Sequence, residues 1–295
     1  MIKFLLIVLL ALSVMPLSRL MAMTDSNSFM LAAGINSLVV MPATRHKVHV
    51  NNDISVLENA PWLSEISAGV YEVKAPKTPG FYQLATVHKT LGAGKLQLIV
   101  KTPIDTAQVK QVNGYQINQY PKPYKGLLQY NQPQGLIEIN KADESRYLSD
   151  LVQIKDIMCK QRSGYPKYLL VDIEGLKMLD DLYDYLRAQG LNFTRFSFIS
   201  GYRTPYYNRM IGNGKHSRHL YGDAFDLYID ENGDHRMDDL NQDGRQDKRD
   251  VDYLYQLFLA FLTDNNRKGG VGKYLPNSRH GGFVHIDNRG FNARW

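Results

Sequence analysis

Residues 217–226 read "SRHLYGDAFD", and the reading of this stretch decides the fold. His219 and Asp226 stand seven residues apart, with Gly222 and Ala224 between them. A turn carries His219, Gly222 permits the tight bend that follows, and "AFDLYID" reads as a strand. Ala224 and Asp226 share one face of that strand, since alternate residues point the same way. The small Ala224 therefore leaves room beside the carboxylate. Working outward, "SGYRTPYYN" (200–208) precedes this stretch and "HGGFVHIDNRG" (280–290) closes the chain's last strand-rich part. In "FVHID", alternation places Phe283, His285 and Asp287 on one face and two aliphatic residues on the other. The chain has eight histidines, and three of them, His219, His280 and His285, fall in these stretches.

Two histidines and one carboxylate form a three-ligand set for zinc with the fourth position open, the form suited to catalysis rather than to a closed structural site. The order of motifs resembles the zinc D-alanyl-D-alanine peptidase family, which shares its fold with the hedgehog signalling domain and lysostaphin-type enzymes. The family pattern is Ser-Gly-Tyr-Arg, then Ser-x-His-x-x-Gly-x-Ala-x-Asp, then a late His. Here these are Ser200, Gly201, Tyr202 and Arg203, then Ser217, His219, Gly222, Ala224 and Asp226, then His285. The ending "GGVGKYLPNSRHGGFVHIDNRGFNARW" is similar to the branch with Phe-Val-His-x-Asp and a terminal Arg-Trp, which includes periplasmic murein endopeptidases.

The resemblance implies that His219, Asp226 and His285 hold zinc. It implies that Arg203 binds the substrate carbonyl or carboxylate and steadies the oxyanion, with Ser217 and Tyr202 beside it as substrate-binding residues. A guanidinium suits that task because it stays charged and donates in a plane. Many relatives place Glu or Asp three residues before the last ligand His, as general base; here that position is Gly282. His280 and Asp287 are the two candidates for the proton transfer, His280 because imidazole titrates near neutrality. Asp287 can equally be a partner that orients His285.

An acidic insert, "DENGDHRMDDLNQDGRQDKRD", follows the Asp226 strand. Asp239, Asn241, Asp243, Asp247 and Asp250 fall at positions 1, 3, 5, 9 and 12 of a calcium loop. Gly244 stands at position 6 and Arg245 offers its carbonyl at position 7. The Asp at position 12 resembles that of dockerins. An earlier set, Asp230, Asn232, Asp234 and Asp238, repeats the start with His235 in place of the glycine, a second possible calcium loop. A solvated acidic loop is the plain alternative.

Length bounds the rest: 295 residues suggest about two domains. Apolar residues at 44% supply a real core, and 22% charged residues are ordinary for a globular chain. A net charge of +6 suits a polyanionic partner, and peptidoglycan with its peptide carboxylates fits. No recognition helix or base-stacking signature stands in the chain, so nucleic acid is not expected. Residues 1–23 carry Lys3, an apolar run from Phe4 to Met15, then Pro16 and Arg19, the pattern of an export signal. A cut after Ala22 puts Leu20 at −3, a poor residue there, so an uncleaved inner-membrane anchor is the alternative. Export to the periplasm follows from either. The single cysteine, Cys159, forms no internal disulfide and reads as a small core residue.

The expected architecture is α+β. Residues 28–105 form short, Gly- and Pro-punctuated strands of a β-sandwich-like, immunoglobulin-like domain. In it, "GVYEVKAPKTPGFYQLATV" resembles a pair of late strands. Residues 106–141 are a Tyr-, Asn- and Pro-rich linker lying on the next domain, and residues 142–295 form the zinc peptidase domain with calcium loops within 230–250. Helices are expected over 143–161, 172–190 and 249–265. The expected reaction is hydrolysis of amide bonds in peptidoglycan stem peptides or cross-links, as carboxypeptidase or endopeptidase. Two rival readings are a zinc-bearing but inactive wall-binding module and a calcium-dependent adhesion or scaffold protein.

Overall fold

The computed structural model describes residues 28–31, 34–50, 52–57, 59–278 and 280–295. Segment 1–23, read as a signal or anchor, lies outside the described residues. Among these no helix is long and apolar enough to cross a membrane.

The front of the chain is eight strands: β1 (Ser28–Met30), β2 (Ile35–Val40), β3 (Arg45–His49), β4 (Ile54–Val56), β5 (Leu63–Ser67), β6 (Val70–Lys74), β7 (Gly80–His88) and β8 (Gly92–Val100). They form two four-stranded sheets, β1-β3-β6-β5 and β2-β8-β7-β4. Both close over one apolar cluster that includes Val48, Trp62, Val73, Leu84, Leu96 and Leu98. Within each sheet one pair is parallel, β1 with β3 and β2 with β8. The two strands of "GVYEVKAPKTPGFYQLATV", β6 and β7, lie in different sheets and do not pair with each other.

Alternation on β2 and β8 joins the halves. Leu38, Val40, Leu98 and Val100 point into the front cluster, whereas Val39 and Ile99 pack on the rear core. Ser37 Oγ donates to the Leu148 carbonyl at 2.7 Å, and Gln97 Nε2 to that of Tyr147 at 3.1 Å. The segment 106–141 does more than lie on the next domain. Tyr115, Ile117, Tyr120 and Tyr130 are buried in the rear core. It holds the small hairpin β10 (Gln111–Val112) and β11 (Tyr115–Gln116), and β12 (Gly135–Ile139). β12 pairs with β9 (Thr102–Pro103) and β13 (Lys167–Leu169).

The helix expected over 143–161 is not formed; the segment holds one short helix, α1 (Ile154–Ile157). Asp143 and Asp156 accept backbone amides of Asn140 and Gln153, and such side-chain acceptors compete with continued helix. Its apolar residues Leu148, Val152, Ile154, Ile157 and Cys159 are buried without regular spacing. The other two helices form as expected: α2 (Ile173–Ala188), capped by Asp172, and α4 (Lys248–Asp264), opened by a capping box between Asp247 and Asp250. A short α3 (Pro205–Met210) lies between them in sequence, capped by Thr204.

The rear sheet positions the site. Its order is β14-β15-β17-β16-β18, with β14 (Ser197–Ser200), β15 (Ala224–Tyr228), β16 (Gly270–Tyr274), β17 (Phe283–Asp287) and β18 (Ala293–Arg294). The first three contacts are antiparallel and β16–β18 is parallel. Val271, Leu227, Val284 and Ile286 belong to the rear core with Val251, Leu254 and Phe258 of α4. The opposite face carries two cross-strand rows. One runs Ser200, Asp226, His285, Gly272; the other runs Ala224, Asp287, Gly270. Gly222 takes φ +75°, and a Cβ there would lie 2.5 Å from the Leu170 carbonyl oxygen, so the turn into β15 needs glycine.

Candidate metal centre

His219 stands on a short 3-10 turn, Arg218–Tyr221, just before β15. The "SGYR" loop holds it from both sides. Its Nδ1–H donates to the Gly201 carbonyl at 2.6 Å, and the Arg203 amide donates to the His219 carbonyl at 3.0 Å. That fixes the ring and leaves Nε2 facing Asp226 Oδ2 at 3.2 Å. His285, beside Asp226 in register, brings Nδ1 to Asp226 Oδ1 at 2.8 Å. Its Nε2 meets Asp287 Oδ2 at 2.8 Å. The two histidine rings lie 5.0 Å apart.

Ligand atoms of His219, Asp226 and His285 all lie within 4.8 Å of one another, and all three residues are buried. Zinc bound tetrahedrally by N and O donors at 2.0–2.2 Å needs ligand atoms roughly 3.4 Å apart. The donor set and its spacing fit that ion. The outer atoms fit as well: a carbonyl holds His219 and a carboxylate holds His285, the arrangement that fixes a ligating imidazole's tautomer. Among the described residues this is the one such group of three.

Burial alone would lower the His285 pKa, but hydrogen bonds to Asp226 and Asp287 outweigh it and carry it up to about 9. Burial likewise opposes ionisation of Asp226, yet His219 and His285 hold its carboxyl well below the usual range. In His219 burial wins, and its pKa is lowered.

Other expected site residues fall as follows. Arg203 is buried beside the triad, with Nη2 2.5 Å from Asp226 Oδ2 and Nε donating to Ser200 Oγ at 2.8 Å. Ser217 is half-buried and precedes the His219 turn. Tyr202, expected to bind substrate, is buried in the core, its hydroxyl 2.7 Å from that of Tyr120. Asp287 is fully buried and accepts from His285, Arg289 and the Gly270 amide, a setting suited to a partner that orients His285. His280 is not brought to the triad. Its Nε2 pairs with Asn277 Nδ2 at 2.7 Å, and its ring packs 5.0 Å from that of Phe283, two residues before His285 on the same face. It lines a cavity of about 330 Å³ with Asp234, His235 and Pro276. At Gly282 an added Cβ would sit 2.3 Å from Val251 Cγ2, so α4 excludes any carboxylate side chain at that position.

The acidic insert shows one backbone pattern twice. Asp239 accepts the amides of Asp243 and Gly244, and Asp230 those of Asp234 and His235. Gly244 and His235, both at position 6, both take positive φ. Asn232 and Asn241 each accept the amide two residues on. Asp250 accepts the amides of Leu240, Asn241 and Asp247. Asp243 and Asp247 pair with Arg249, and Asp238 accepts the Glu231 amide.

Residues 158–251 match the model of the family described as Peptidase M15. Over that segment the chain is similar to the M15 peptidases. The match spans α2, the "SGYR" loop and two of the three triad residues; His285 lies beyond it and joins through the β15–β17 pairing. Neither a curated protein nor a solved structure matches the chain. At family level the M15 peptidases are zinc-dependent hydrolases that act on peptidoglycan, and the buried triad supplies the ligand set such chemistry requires. Sequence reasoning missed Arg289 and Trp295. Arg289 clamps Asp287 through Nε at 2.8 Å and Nη2 at 2.5 Å. The Trp295 ring lies 5.0 Å from that of His285. The glycines inside "GGVG" were a usable signal, because glycine in a strand interior marks close approach of another group.

Proposed function

We propose that the protein is an exported zinc peptidase that hydrolyses an amide bond in the stem peptides or cross-links of peptidoglycan. It works in the periplasm, free or held to the inner membrane by segment 1–23. The observation that carries the reading is the buried His219–Asp226–His285 group on one sheet face. Bound there, zinc would polarise the scissile carbonyl and lower the pKa of water toward neutrality.

The chain's own residues do the rest. Asp226 and the two imidazoles hold the ion, and Gly201 and Asp287 hold the imidazoles. Arg203, kept in place by Ser200, presents a fixed positive charge beside the reacting carbonyl and steadies charge that develops on its oxygen. Ser217 lies at the rim and contacts the substrate. His280, whose ring packs on Phe283 two residues before His285, is the candidate to accept the proton of the attacking water. Hydrogen bonds of this kind are often loose before substrate binds. Calcium in the Asp239–Asp250 loop, and in the Asp230–Asp238 loop, would brace the connection out of β15; the repeated spacing and repeated position-6 conformation support this. The front sandwich serves as a binding or spacing module.

Gly282, closed to any carboxylate, favours one rival: a zinc-bearing module that binds the wall without cutting it. Purified muropeptides incubated with the protein separate the two. The peptidase releases amide-cleaved products, loses this with a chelator and regains it with zinc. Intact muropeptides after incubation with zinc-loaded protein would establish the binding module instead.

A further inference from the structure

The cross-strand row that carries the metal ligands does not stop at His285. It continues to Gly272, and on that glycine lies the indole of Trp295. A Cβ added at Gly272 would come within 2.3 Å of both Trp295 Cε2 and Nε1. Paired residues point to the same side of a sheet, so the indole stands on the ligand-bearing face, next in line after His285. Its ring centre is 5.0 Å from that of His285, tilted by 49°.

The indole is held firmly. The Trp295 amide donates to the Val271 carbonyl at 3.3 Å, and its carbonyl accepts from Lys273 at 3.0 Å. Nε1 donates to Tyr274 Oη at 2.8 Å, and the Arg289 guanidinium lies 5.1 Å from the ring centre. Tyr274 itself stacks on Phe283, 4.6 Å away and nearly parallel. Yet Trp295 remains 44% exposed, whereas the triad beside it is buried. A pinned, half-open aromatic face with its one polar atom already bonded, set beside a reacting centre, recognises an apolar group.

We infer that Trp295 is a specificity-determining wall of the substrate cleft, packing against the alanine methyl next to the scissile amide. The inference rests on the peptidase reading above and names what that site selects. Distance argues for the peptide rather than the sugar: the indole adjoins His285 itself, so the group it touches neighbours the reacting carbonyl.

The test uses Trp295→Ala and Trp295→Phe, each zinc-loaded, with a sugar-free stem pentapeptide ending in D-alanyl-D-alanine and with a disaccharide muropeptide. Loss of one small apolar contact in a site costs about tenfold in kcat/KM, and a contact made equally in ground and transition states shows it in KM. Trp295→Ala is expected to show that rise on both substrates, with a smaller change in kcat and zinc retained, and Trp295→Phe to recover most of it. An unchanged KM, a loss in kcat accompanied by loss of zinc, or a KM rise confined to the sugar-bearing substrate would each overturn the wall. Binding is read separately by fluorescence. The chain's two tryptophans are Trp62, buried in the front sandwich, and Trp295, so a Trp62→Phe background isolates the signal. A change in Trp295 emission on adding the pentapeptide supports the wall even without turnover, in which case hydrolysis alone is refuted. No emission change at millimolar peptide overturns the wall whether or not the peptide is cut.

Discussion

Asp287→Asn is nearly isosteric, yet the surroundings of this carboxylate make it a severe change. Oδ2 accepts from His285 Nε2 at 2.8 Å and Arg289 Nη2 at 2.5 Å. Oδ1 accepts the Gly270 and Arg289 amides, both at 3.1 Å, and Arg289 Nε at 2.8 Å. Burial opposes its ionisation, but Arg289 and His285 hold its carboxyl well below the usual range. Every partner of the group is a donor. An amide offers one oxygen, and its NH2 must then face donors. If the NH2 points at His285, Nε2 must give up its proton and accept. The proton moves to Nδ1, the atom that faces Asp226 and would ligate zinc. Losing such an orienting partner typically costs about 10–100-fold in metal affinity, which is roughly 1.4–2.7 kcal/mol. The half-buried Arg289 charge also loses its counter-ion. Breaking a buried pair costs about 3–5 kcal/mol, and the lower end applies because Arg289 retains some solvent contact. Zinc affinity is measured by competition with a chromophoric chelator, and stability by urea unfolding of the metal-free variant. Zinc affinity within twofold of wild type, with turnover abolished, would refute the reasoning and make Asp287 the general base.

Three further outcomes follow from the same geometry. In metal-free protein, the His285 pKa is raised from an ordinary 6.5 to about 9. The stability this contributes is therefore complete below about pH 6.5 and is lost as pH rises through about 9. Tm of chelator-treated protein should fall across that window while zinc-loaded protein does not, and a flat profile would contradict the buried pairing. Saturating calcium should raise Tm by binding the native state, and Asp243→Ala should lose the rise; an unchanged Tm in the wild type removes calcium from the account. His280→Ala should keep zinc and lose turnover by about 10²–10⁴-fold, and near-full turnover would take proton transfer away from His280.

The triad was legible because strand alternation and a glycine turn are local rules. Asp226 and His285 sit on faces that period two assigns, and β15 and β17 then place them side by side in register. The helices α2 and α4 were legible for the same reason, each keeping one apolar stripe against the core. Residues 143–161 were not. Their apolar spacing imitates a helix, but the tertiary core takes Leu148, Val152, Ile154 and Ile157 from an irregular chain, and two aspartates divert its backbone amides. Parallel pairing of β2 with β8 was illegible because it joins residues about sixty apart with no local signal. The burial of Tyr202 was illegible for a related reason. The motif places it beside Arg203, but successive residues diverge, and only the fold shows that its hydroxyl turns inward to Tyr120. Trp295 reaches the site through its parallel pairing with β16, which sequence spacing does not reveal.

The central claim is that one buried group on the rear sheet holds a metal. Metal analysis of purified wild type, His219→Ala and His285→Ala tests it most directly. The account predicts about one zinc per wild-type chain, as a three-ligand site requires, and its loss in both variants with the fold intact by circular dichroism. Undiminished zinc in both folded variants would contradict it.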